Sequence, residues 1–215
     1  MKMRIGRLHV LTDTSIQNRF THVEIARFAI QGGADTIQLR EKNKDTGELF
    51  EIAREVGRVC REANVPLIIN DRADIALATG AAGVHLGRDD LPIAAAREIL
   101  GPAKIIGGSA STLEEALEAE RDGADYVGFG HIYPTSTKSK KGAPRGIETL
   151  RAVTRALKIP VIAIGGIDRK NILPVVDAGS WGVAVIAAVC GQTDPRRATG
   201  ELKIAIDSSR NIQKE

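Results

Sequence analysis

Tyr126-Val127-Gly128-Phe129-Gly130-His131-Ile132-Tyr133-Pro134-Thr135-Ser136-Thr137-Lys138 runs from a buried-strand pattern straight into hydroxyls and cations. Such a strand end offers donors and positive charge to an anion, although a solvated surface loop uses the same residue types without any ligand. Two further runs weigh against the bland reading. Ile37-Gln38-Leu39-Arg40-Glu41-Lys42 and Val161-Ile162-Ala163-Ile164-Gly165-Gly166 also finish in anion-friendly chemistry. Several such ends imply one shared site for a phosphorylated ligand.

Working outward, short β-branched runs recur at 8–11, 36–39, 67–70, 83–86, 105–107, 126–129, 161–164 and 183–186, giving eight strand candidates. Amphipathic stretches lie between them, for example 46–63, and 111–122, where Leu113, Ala116 and Leu117 recur at helical spacing beside Glu114, Glu115 and Glu118. Alternating strand and helix argue for a parallel sheet. A weak internal repeat supports closure of that sheet: Gly32-Gly33-Ala34-Asp35, Gly80-Ala81-Ala82-Gly83, Asp122-Gly123-Ala124-Asp125 and Ala178-Gly179-Ser180-Trp181 each precede an even-numbered strand. Glycine there suits a helix C-cap that turns left-handed before the chain re-enters the sheet. The expected fold is therefore a single-domain (β/α)8 TIM barrel over residues 1–215, with its site at the C-terminal ends of the strands. A doubly wound open sheet is the alternative, but Leu11-Thr12-Asp13-Thr14 has no glycine for a dinucleotide loop.

The 43% hydrophobic and 27% charged residues suit one globular core and exclude disorder. A net charge of +3 spread along the chain, with 3% aromatics, offers neither an electrostatic track nor stacking platforms for nucleic acid. Cys60 and Cys190 are too far apart to suggest a metal pair or a disulfide framework, so both read as buried thiols. No apolar stretch is long enough to span a bilayer and the first residues carry no signal-type run, so a cytoplasmic enzyme with no membrane partner is the expectation. A homo-oligomer is left open.

At the second strand end, Gln38, Arg40 and Lys42 share one rim by alternation, and an amide with two cations fits diphosphate better than an ion-pair network with Glu41 does. Asn70-Asp71 ends the third strand, and His85, Arg88, Asp89 and Asp90 accompany the fourth. Asp71 and Asp90 would suit Mg²⁺ completed by phosphate and water, or would cap helices beginning near Ala73 and Pro92. Ser109 closes the fifth strand, with Ser111 or Thr112 as the N-cap of the helix that follows. His131 could move protons, or be a hydrogen-bonded structural imidazole. Gly165-Gly166 and Ile186-Ala187 follow strands seven and eight, where barrels often bind a phosphate monoester, although tight turns use Gly-Gly too. Residues 134–144 read as a lid.

Taken in order, Gln38-Leu39-Arg40-Glu41-Lys42, Ile69-Asn70-Asp71, Gly83-Val84-His85-Leu86-Gly87 with Asp90, Tyr133-Pro134-Thr135-Ser136-Thr137-Lys138 and Ala163-Ile164-Gly165-Gly166-Ile167 resemble the thiamine phosphate synthase family over nearly the whole chain. That resemblance implies a transferase of thiamine biosynthesis that condenses 4-amino-2-methyl-5-(diphosphooxymethyl)pyrimidine with a thiazole phosphate, or its carboxylate form, to thiamine phosphate. Diphosphate is released by a dissociative, carbocation-like route, and Mg²⁺ is the implied cofactor. Carried over by motif, the segment Gln38, Leu39, Arg40, Glu41 and Lys42, together with Asn70, Ser109 and Lys138, would bind the pyrimidine diphosphate. Arg40, Lys42, Ser109 and Lys138 would be catalytic. Asp71 and Asp90 would hold the metal, and Thr135, Ser136, Thr137, Gly166, Ile186 and Ala187 the thiazole phosphate.

Three positions depart from the family's usual pattern: His131 where Pro is common, Ala187 where Ser is common, and Ser111 where His is usual. The first resembles the related thiazole tautomerase, which would act through His131. The other two leave a non-catalytic barrel that binds thiamine precursors as a further alternative.

Overall fold

A computed structural model describes residues 3–135, 137 and 142–212, with side chains to residue 209. Ser136 and Lys138 lie outside the described residues, as does much of the expected lid. The chain alternates from its start: Leu8–Thr12 (β1), His22–Gln31 (α1), Thr36–Leu39 (β2), Thr46–Glu62 (α2), Leu67–Asn70 (β3), Ala73–Ala78 (α3), Gly83–Leu86 (β4) and Ile93–Leu100 (α4). The second half repeats the pattern with Ile105–Ala110 (β5), Leu113–Arg121 (α5), Tyr126–Gly130 (β6), Gly146–Ala156 (α6), Val161–Ile164 (β7), Ile172–Asp177 (α7), Gly182–Val185 (β8), Ala187–Cys190 (α8) and Pro195–Ile212 (α9). All neighbouring strands pair in parallel, and β1 pairs with β8, so the sheet closes into an eight-stranded barrel.

Local signals set the helix starts. Thr21 accepts from the Glu24 N–H while Glu24 reaches back to the Thr21 N–H, a reciprocal cap that satisfies two otherwise orphan donors. Asp45 begins α2 and Thr112 begins α5 as one-way caps, each accepting from the backbone N–H three residues on. Leu49, Ala53, Val56 and Cys60 then line the buried face of α2 at helical spacing.

Alternation along the strands makes two apolar layers. Ile37, Leu39, Ile69, Val84, Val127 and Ala163 face the helices in one continuous cluster. Leu11, Ile68, Ile105, Tyr126, Ile162 and Ala184 fill the lumen. A fully buried Leu or Ile contributes about 1.5–3 kcal/mol, so the lumen is a second core and not a pore.

The repeated turns hold their glycines left-handed, with φ of 95° at Gly33, 68° at Gly80, 91° at Gly123 and 90° at Gly179. A side chain at these positions would be strained, which is why glycine recurs there. Two of the boundaries that differ from the sequence expectation bear on the site. β5 runs on to Ala110 and carries Ser109 inside it. β8 ends at Val185, so Ile186 leaves the sheet as the N-cap of α8. Both cysteines are buried free thiols, and no helix among the described residues is long and apolar enough to cross a membrane.

Candidate active site

The C-terminal strand ends surround a cavity of about 530 Å³. β2 sends Gln38, Arg40 and Lys42 into it by alternation. Gln38 is buried and its Oε1 has no hydrogen-bond partner among the described residues, so an acceptor waits in the wall for a donor. Arg40 is held by the buried carboxylate of Asp13, just past β1, which is itself fixed by the Ser15 N–H at 2.9 Å. The expected ion-pair alternative, Glu41, looks elsewhere: it meets His22 Nε2 at 3.2 Å and accepts from Thr14 at 3.3 Å. Glu41 and Leu39 do not line the cavity, and Leu39 packs in the strand–helix layer.

Asn70 and Asp71 follow from β3, Asp90 from the loop after β4. Asp71 has a left-handed backbone, φ 67°, with its N–H tied to the His85 carbonyl at 2.7 Å. This is a conformation few side chains adopt, and here it turns the carboxylate toward the cavity, where Lys42 donates to it. Asp90 accepts from the Gly87 N–H at 2.6 Å, and a Cβ on Gly87 would sit 2.9 Å from that carboxylate. Neither aspartate caps a helix: the N-cap residues of α3 and α4 are Arg72 and Pro92, and neither makes a side-chain cap. Burial, then a hydrogen bond and charge from Asp71, push the Asp90 carboxyl above its ordinary range. Two carboxylates this close suit a shared cation. Among the described residues no group of three or more His, Cys, Asp or Glu side chains gathers, so any metal here would draw its remaining ligands from phosphate and water.

Ser109 enters from β5, and His85 from β4 bonds to its hydroxyl at 2.9 Å. The sequence reading gave neither His85 nor Tyr126 a role; their inward alternation between Gly83 and Gly87, and ahead of Gly128, was the signal available. On the same wall Glu115 accepts from Ser111 and pairs with Arg88 at 2.7 Å. Burial would raise the Glu115 carboxyl, but the Ser111 hydrogen bonds and Arg88 hold it below the usual range. Ser111 thus works through Glu115, and Thr112 is the cap.

Thr135 and Thr137 line the far side with Gly166, Ile186 and Ala187. Gly165 and Gly166 have φ of 103° and 67°, and a Cβ on Gly166 would lie 2.5 Å from the Pro134 carbonyl oxygen. Bare glycines therefore let β7 and the post-β6 segment meet at the rim. His131 is buried against this junction and also lines the cavity.

A parallel barrel whose C-terminal mouth gathers cations and a carboxylate pair on one side and bare backbone on the other defines an enzyme class that works on phosphorylated ligands. The family described as thiamine monophosphate synthase matches residues 8–189. The chain is 51% identical over 203 residues to the thiamine-phosphate synthase of Salinibacter ruber, spanning 94% of this chain and 89% of that one. It is 52% identical to that of Chlorobium luteolum over 85% of this chain and 86% of the relative. A thiamine phosphate pyrophosphorylase from Pyrococcus furiosus superposes with a TM-score of 0.87 at 44% identity, over 94% and 96% of the two chains. The chain belongs to the thiamine monophosphate synthase family, and so to the transferases. Neither the tautomerase nor the precursor-binding barrel is favoured by these relationships.

Proposed function

We propose that the chain joins the aminopyrimidine methyl diphosphate to a thiazole phosphate, giving thiamine phosphate and diphosphate. The observation that carries this reading is one mouth lined by Arg40 and Lys42 beside Asp71 and Asp90, and by Gly165, Gly166, Ile186 and Ala187 from the strands across the barrel.

Arg40, aimed by Asp13, and Lys42 bind the diphosphate, with Asn70 and Ser109 completing its orientation and Lys138 adding a further cation. Gln38 Oε1, which has no partner among the described residues, accepts from the substrate amino group. The methylene carbon–oxygen bond breaks, diphosphate leaves with the electron pair, and the electron-rich aminopyrimidine carries the positive charge. Thiazole nitrogen then forms the new bond to that carbon while Thr135, Ser136, Thr137 and backbone N–H groups at Gly166, Ile186 and Ala187 hold its phosphate. Positioning and charge do this work, and no protein nucleophile is needed.

The crowded carboxylates fit Mg²⁺: Asp71 and Asp90 would hold it, and when bound it supplies positive charge to the diphosphate. The test is incubation of both phosphorylated substrates with the protein and Mg²⁺. Thiamine phosphate and diphosphate in equal amounts are expected; formation of neither overturns the reading.

A further inference from the structure

At the floor of the cavity a chain of three polar side chains, buried at Tyr126 and half-buried at His85 and Ser109, links the lumen to the site. The Tyr126 hydroxyl lies 3.0 Å from His85 Nδ1, and His85 Nε2 lies 2.9 Å from the Ser109 hydroxyl. Missing side chains make room for this arrangement. A Cβ on Gly107 would fall 2.2 Å from the Tyr126 ring, and one on Gly128 would fall 2.9 Å from His85 Cε1. The tyrosine ring lies fully buried 5.5 Å from the imidazole, so both rings are packed in place.

The direction of the hydrogen bonds follows from what each end can do. Tyr126 is fully buried, and among the described residues His85 is the hydrogen-bond partner of its hydroxyl. If His85 donated from Nδ1, the buried tyrosine hydrogen would be left without an acceptor among the described residues, which costs about 1–3 kcal/mol. Burial pushes the tyrosine hydroxyl well above its ordinary range, so it stays a neutral donor. Tyr126 therefore donates to Nδ1, and His85 carries its proton on Nε2 and donates to Ser109. With its oxygen occupied as an acceptor, the serine hydroxyl has its hydrogen turned outward to the cavity.

We infer that His85, held by Tyr126, is a positioning residue that fixes Ser109 as a hydrogen-bond donor to the pyrimidine diphosphate. This rests on the transferase reading for its substrate, whereas the proton arrangement belongs to the protein alone. The effect is preorganisation: the serine need not choose between two rotor states when substrate arrives.

A double-mutant cycle tests it on the full chain. Tyr126→Phe keeps the ring and removes the donor, and kcat is expected to fall about tenfold with the KM for thiazole phosphate unchanged. In a Ser109→Ala background the same change should alter kcat less than about twofold, because the group it acts through has gone. A full tenfold loss in both backgrounds overturns the inference, since packing alone would then explain it. His85→Gln, which can still donate to Ser109, should recover several-fold of the kcat lost in His85→Leu; equal losses also overturn it. Nitrogen-15 NMR at neutral pH reads the arrangement without turnover. His85 protonated on Nε2 in the parent, and a mixture in Tyr126→Phe, are expected; protonation on Nδ1 in the parent overturns the inference. A parent that makes no thiamine phosphate sinks the proposed function instead, and the NMR result then decides the proton arrangement alone.

Discussion

Asp35 and Asp125 sit at the N-terminal end of the barrel, Asp71 and Asp90 at the C-terminal end, and the two pairs differ in what surrounds them. Asp35 accepts from the Leu8 N–H at 2.9 Å and pairs with Lys203 at 2.8 Å. Asp125, at the matching place in the internal repeat, accepts from the Ile106 N–H at 2.8 Å and pairs with Arg97 at 2.8 Å. Each ties the start of one strand to a helix cation. At the other end Asp90 faces Asp71, and Lys42 is the cation whose charge pulls against that crowding. One end gives each carboxylate a cation of its own, while at the other Asp71 and Asp90 share the charge of Lys42.

Removing one aspartate from each end is the sharpest way to break this contrast. Asp71→Ala should lower turnover by about 100-fold or more with little change in Tm. Asp125→Ala should leave kcat within about twofold and lower Tm by about 5 °C, through loss of charge-assisted hydrogen bonds in a chain of this size. Activity assays and thermal melts on both variants check it, and a comparable loss of Tm in the two would erase the distinction.

The lumen floor supplies an intermediate case in His9. Burial pushes its imidazole down to about 4 from 6.5, against the raising effect of its hydrogen bond to the Gly6 carbonyl. The unfolded chain therefore binds more protons between those values, and the stability His9 contributes is full above about pH 6.5 and is lost as pH falls toward 4. Between pH 7 and 5 the parent should lose about 5 °C more in Tm than His9→Phe does. Equal losses in melts at the two pH values would show that the imidazole is not held neutral.

Asp90 has the opposite sign. Its folded carboxyl is raised, so the folded state binds the proton more tightly, and stability falls as pH rises from the ordinary carboxylate range through the raised one. At neutral pH and without divalent ions, Asp90→Asn should raise Tm by about 2 °C while turnover collapses. Added Mg²⁺ should stabilise the parent and not the variant. A variant less stable than the parent without metal would mean that the Gly87 hydrogen bond outweighs the repulsion.

Much of this was legible in the chain itself. Short β-branched runs located every strand to within a few residues, because a strand buried on both faces must be largely apolar, and the four repeated glycines marked the turns into even strands. Gln38, Arg40 and Lys42 could be set on one rim by alternation alone. What alternation does not reveal is the partner. Asp13 holding Arg40 and His22 drawing Glu41 away are contacts across 27 and 19 residues of sequence, made only once β1 and β2 lie side by side. Leu39 and Glu41 belonged to a motif that matched as a block, yet only alternate members of a strand can face the cavity. The Tyr126–His85–Ser109 chain escaped for a similar reason: it depends on two glycines whose missing side chains are informative only when the rings that replace them are seen.

Cys190, in α8 just past β8, donates its thiol hydrogen to the Leu11 carbonyl at 3.2 Å, whereas Cys60 lies on the buried face of α2. Burial pushes both thiols up to about 12, so neither is nucleophilic in the closed molecule. The protein thus carries two silent reporters, and a thiol-reactive dye will label each only as fast as its own neighbourhood opens. Adding a thiazole phosphate should slow labelling at Cys190 and leave Cys60 unchanged, giving an optical readout of ligand capture from the unmodified chain.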